Sequence, residues 1–84
     1  MATTNIVLNS SNWTKVYDAD GKAIVFERKS GVSGEYFYSD EEPATTDAGH
    51  ELLDRVAVSA TPPVGMNVWV RAAAGIRVVL SVME

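Results

Sequence analysis

Carboxylates beside an imidazole are the first chemistry the chain offers. Asp40, Glu41, Glu42, Asp47 and Glu51 crowd one short stretch around His50, the sole histidine. Such a mixture of oxygen and nitrogen donors suits a divalent cation. Their spacing matches no ligand pattern, however, and a solvated acidic loop, or one that docks a basic partner, accounts for the same residues. A second cluster, Asp18, Asp20 and Gly21, resembles the opening of a calcium loop. That loop needs an oxygen donor at its fifth place and a bidentate acid at its twelfth, where this chain has Lys22 and Lys29. The Asp-Gly pair therefore reads as a turn.

Nucleophilic catalysis needs a base to take the proton and a third group to orient that base. One histidine would have to serve every role. No G-x-S-x-G, glycine-rich phosphate loop or paired-carboxylate motif stands in the sequence, and the spacing of Gly31 and Gly34 is that of a turn. The expectation is a protein that is not an enzyme, with no cofactor and no metal. Binding is left to the aromatic residues. Tyr36, Phe37 and Tyr38 are consecutive, so a strand must send Phe37 to one face and both tyrosines to the other; either set can be the inward one. Tyr36, Tyr38 and Trp69 are each readable as core, as an interface anchor, or as a platform for sugar rings. Trp13 reads as core.

Strands must position these residues. Alternating polar and apolar residues rich in Val and aromatics, punctuated by Gly, Pro, Asp and Asn, run from end to end. The pattern predicts six or seven strands, near 5–9, 13–17, 22–28, 34–39, 52–59, 66–72 and 75–83. Asp20-Gly21 suits a tight hairpin turn, and Lys29 to Ser33 and Pro62-Pro63-Val64-Gly65 read as further reversals. The stretch 40–50 reads as an exposed crossing loop of the kind found in Greek-key sandwiches, with some tolerance for a helical turn near Leu52. In the last two strands Val68, Val70, Ile76, Val78, Leu80 and Val82 mark the core face. The opposite face takes Asn67, Trp69 and Arg71, then Arg77, Val79, Ser81 and Met83, with a tight turn through residues 72–75 between them. The expected fold class is all-β: a single domain over 1–84, a small antiparallel β-sandwich or jelly-roll-like barrel.

Composition bounds the partners. The chain has 84 residues, no cysteine and a net charge of −4, with an isoelectric point near 4.8. A negative field repels phosphate, so nucleic acid is not expected. The opening residues lack a basic segment followed by an apolar one, and no apolar run reaches membrane-spanning length, so the chain reads as soluble and unprocessed. A domain this small buries too little surface to be comfortable alone, and without disulfides it profits from self-association.

Three stretches resemble a group of small tailed-phage virion proteins built as single β-sandwiches: ATTNIVLNSSNWTKVYDADG, ATTDAGHELL and VWVRAAAGIRVVLSVME. In that group a Thr or Asn precedes a Trp strand, a Gly-His segment follows an acidic or small-residue loop, and the chain ends on a strand pair with an Arg-Ala turn. The resemblance implies a virion component made in the host cytoplasm, of the capsid-decoration, head-fibre or tail-accessory kind. It further implies a phage capsid or tail protein as partner and a homo-oligomer, with a trimer favoured. It carries over no catalytic residue, and the sequence departs from the group in its Tyr36–Tyr38 run and its longer acidic loop. The interface expected from these readings comprises Trp69, Arg71, Val79, Met83, Tyr36 and Tyr38, together with the backbone edges of the terminal strands. The alternative is a carbohydrate-binding or host-recognition module, in which Trp69, Tyr36 or Tyr38 stacks on sugar.

Overall fold

The computed structural model describes residues 2–8, 12–30, 34–53, 56–72 and 76–82. Among them there are eight strands and no helix: β1 (Ala2–Leu8), β2 (Thr14–Tyr17), β3 (Ile24–Ser30), β4 (Gly34–Ser39), β5 (His50–Glu51), β6 (Val58–Ala60), β7 (Asn67–Ala72) and β8 (Ile76–Val82). They form two four-stranded sheets, in the orders β1-β8-β3-β6 and β2-β7-β4-β5, and every paired neighbour is antiparallel. The pairs β1·β8, β2·β7, β3·β6 and β4·β5 nest inside one another. The chain thus behaves as one long hairpin, with residues 40–49 at its tip, rolled up so that β3 also meets β8 and β4 meets β7. This is the eight-stranded jelly roll, an antiparallel sandwich.

Rolling explains where the strands depart from a meander. Asp20-Gly21 does not close a hairpin, because β2 and β3 belong to different sheets. Gly21, at φ 86°, turns a corner between them, in the left-handed region that glycine enters without steric cost. The final strands, β7 and β8, are likewise split between the sheets and are not hydrogen-bonded neighbours; residues 73–75 of their link lie outside the described residues. Of the expected strand over 52–59, only Val58 and Ser59 are strand among the described residues, as part of β6. β5, just ahead of that segment, pairs with β4 in one sheet and β6 pairs with β3 in the other, so the chain changes sheets between Glu51 and Val58. Alternation marks which face is buried, but it carries no record of a change of sheet. Of the Lys29–Ser33 reversal, residues 31–33 lie outside the described residues. The Pro-rich reversal is a β-turn in which the Met66 N–H donates to the Pro63 carbonyl at 2.9 Å, with Gly65 at φ 90° in the position a type II turn reserves for glycine.

The core lies between the sheets. Val68, Val70 and Ala72 of β7 and Ile76, Val78 and Leu80 of β8 are buried on the predicted face, with Ile24 and Phe26 of β3, Leu8 and Leu52. Tyr36 and Tyr38 pack against this core, the Tyr36 ring meeting Phe26 edge to face at 5.2 Å. The tyrosines are therefore the inward set and Phe37 the outward one. Arg28 is buried on the same face, its guanidinium Nε donating to the Leu52 carbonyl at 3.0 Å. That bond joins β3 to the crossing segment and satisfies a carbonyl that would otherwise be costly to bury.

Candidate functional site

The outer face of the β2-β7-β4-β5 sheet carries the densest set of interacting polar and aromatic side chains. Register places Glu51, Glu35 and Arg71 in one row across it, and Phe37, Trp69 and Lys15 in the next. Arg71 Nε and one terminal nitrogen both reach Glu35 Oε1, at 2.8 and 2.7 Å, which relieves the apposition of Glu35 and Glu51. The other donors of Arg71 go to the tip loop: Nη1 to the Thr45 carbonyl at 2.7 Å and Nη2 to the Asp47 carbonyl at 2.9 Å. The guanidinium also lies 4.3 Å from the centre of the Trp13 ring, a cation–π arrangement.

Trp13 completes the clamp. It is buried, but beneath the loop on this outer face rather than in the core between the sheets, packed on Phe37 at 5.6 Å. Its indole N–H donates to the Ala44 carbonyl at 3.1 Å. Within the loop, Ala44 N–H meets the Asp47 carboxylate at 2.9 Å and Asp47 N–H returns to the Ala44 carbonyl at 2.9 Å. The stretch expected as an exposed crossing loop is exposed over most of its length, but it joins the neighbouring strands β4 and β5 and is folded back and pinned, with Asp47 spent on its turn. Gly49 is what lets it lie so close. A Cβ there would fall 2.7 Å from the Trp13 ring and 2.8 Å from the Tyr36 carbonyl. Gly49→Ala should therefore cost about 1–3 kcal/mol, as overpacking does, read from the urea midpoint at unchanged m-value.

The acidic residues are not gathered into a metal site: among the described residues no three His, Asp or Glu side chains converge to hold an ion. His50 pairs with Tyr36 across β4 and β5, ring to ring at 5.2 Å. In the other cluster, Asp20 accepts from the Tyr17 hydroxyl and from the Lys22 N–H. The Tyr17 bond holds the Asp20 carboxyl below the ordinary carboxylate range. Asp18 pairs with Lys15 at 2.7 Å. Both aspartates serve the corner.

The six expected interface residues do not converge. Trp69 and Arg71 sit on the outer face just described; Trp69 is half-buried, and its indole N–H is committed to the Ser39 carbonyl at 3.0 Å. Val79 lies on the outer face of the other sheet, between Asn5 and Glu27. Tyr36 and Tyr38 face inward, and Met83 lies outside the described residues. Of the terminal strands, β1 is an edge, whereas β8 is paired on both sides, with β1 and β3.

Sequence reasoning missed the apolar surface at the end of the sandwich where β6 gives way to β7. A groove of about 380 Å³ is lined there by Tyr38, Ala60, Thr61, Pro62, Pro63 and Met66. Beside it in the chain is Val64, 78 % exposed, and Met66 is itself 38 % exposed. Burial raises the pKa of the Tyr38 hydroxyl, with Tyr36 adding to the rise. The signal available was Val64 and Met66 flanking a turn glycine, a place where apolar side chains have no core to enter. Comparison with protein-family models, with curated proteins and with solved structures gives no match to this chain.

Proposed function

We propose that this chain is a non-enzymatic structural component of a phage virion, of the capsid-decoration or head and tail accessory kind, which attaches to other virion subunits and works as a homo-oligomer. The setting comes from the resemblance of its three sequence stretches. The surface comes from the structure: the apolar groove between Tyr38 and Met66 carries the reading, because exposed apolar side chains grouped on so small a domain mark a contact with protein. Jelly rolls serve capsid subunits and sugar-binding domains alike, so the fold does not choose between them. The sugar-stacking alternative is weakened by the inward packing of Tyr36 against Phe26, and it keeps Trp69 and Tyr38, the second of which lines the groove.

Burying a methionine or valine side chain contributes about 1.5–3 kcal/mol, roughly ten- to a hundredfold in Kd. Val64→Asp combined with Met66→Lys should therefore abolish co-sedimentation with the heads or tails assembled by the genome that encodes the chain, at unchanged circular dichroism. Wild-type protein that stays in the supernatant of both particles overturns the proposal.

A further inference from the structure

The four sheet edges are not alike. β2 has four residues, a register break between Lys15 and Tyr17 and an exposed lysine. β5 has two residues, both exposed and one of them an acid. β6 has three and runs into Pro62-Pro63. Short length, lysine, bulges and proline are the devices by which proteins keep sheet edges from pairing with another chain. β1 has none of them. It runs seven residues, ATTNIVL, in unbroken register with β8, and no described strand lies on its other side.

We propose that β1 pairs antiparallel with β1 of a second copy of this chain, about a two-fold axis at Asn5, joining the two sheets into one of eight strands. Only this register pairs all seven residues of both strands. It sets Asn5 against Asn5, Thr4 against Ile6 and Thr3 against Val7, so that core-facing residues stay on one face and solvent-facing residues on the other. Val7, 64 % exposed, then gains a partner. Charge does not oppose a second copy at this edge. At a net charge of −4 two copies repel, but the first fourteen residues carry no charged side chain, so the contact brings no like charges face to face. The proposal rests on the homo-oligomeric part of the reading above and sharpens it. Identical strands meeting about a two-fold axis close at two copies, whereas the resemblance implies three.

The test uses the full chain. Light scattering should give twice the 9.1 kDa chain mass. Asn5 is exposed, so Asn5→Lys and Asn5→Glu leave the monomer folded but set like charges directly opposite one another. Each should weaken the dimer at least tenfold, and mixing the two should restore it. Because the chain has no cysteine, Asn5→Cys supplies a second reading. Directly opposed residues lie about 4.5–5.5 Å apart at Cα, within the disulfide range, so this variant should form an interchain disulfide far faster than Val7→Cys. A wild-type monomer or trimer, or a dimer indifferent to both charges and uncrosslinked by Asn5→Cys, overturns the β1 pairing. Particle binding through the groove is scored separately by co-sedimentation and can survive that result.

Discussion

Trp13→Ala should lose about 3–5 kcal/mol of unfolding free energy, the range for removing a buried large aromatic. The side chain is 4 % exposed, so its transfer term is fully engaged. Truncation also removes one of the two donors to the Ala44 carbonyl, leaving it the Asp47 N–H, and takes away the ring beneath the Arg71 guanidinium. At about 4–8 °C per kcal/mol for a domain of this size, the melting temperature should fall by more than about 12 °C. Thermal melts at one fixed protein concentration check it, because self-association makes stability concentration-dependent. A fall of only a few degrees would mean that the loop and its clamp add little to the fold. Hydrogen exchange should show the same change locally, as faster exchange of the Asp47 amide.

Two adjacent leucines should behave as opposites. Leu52→Ala is expected to cost about 2–5 kcal/mol and Leu53→Ala less than about 0.5 kcal/mol. Leu52 is fully buried where the chain crosses between the sheets. Its N–H donates to the Gly34 carbonyl at 2.8 Å and its carbonyl accepts from buried Arg28. Leu53 is 49 % exposed. Urea unfolding of both variants tests which of the two leucines the change of sheet buries, a choice that strand alternation by itself leaves open. Equal losses, or the larger loss at Leu53, would contradict the crossing.

Period-two alternation of Val68, Val70, Ile76, Val78 and Leu80 was enough to read both the all-β class and the buried face, because a strand's side chains must alternate whatever it pairs with. It was silent on pairing. Nothing local distinguishes a glycine that closes a hairpin from one that turns a corner between sheets, and Asp20-Gly21 does the second. The same silence hid the change of sheet between β5 and β6. The Tyr36–Tyr38 run showed that one set must face inward, and only the packing of Tyr36 on Phe26 decided which.

The acidic loop changed most in passing from sequence to structure. Its composition is that of a solvated crossing, and as the tip of the rolled hairpin it does run over the surface. Its attachment comes from Trp13 and Arg71, far from it in sequence, and from the missing side chain at Gly49. Local composition could not report a contact made by residues 31 and 26 positions away. Charge, the lack of cysteine and the alternation were determined by the sequence alone, since each is a property of single residues or near neighbours. Which sheet each strand joined, which edge was left open at β1, and where the groove formed were decided by tertiary structure, since each depends on strands brought together by rolling the hairpin.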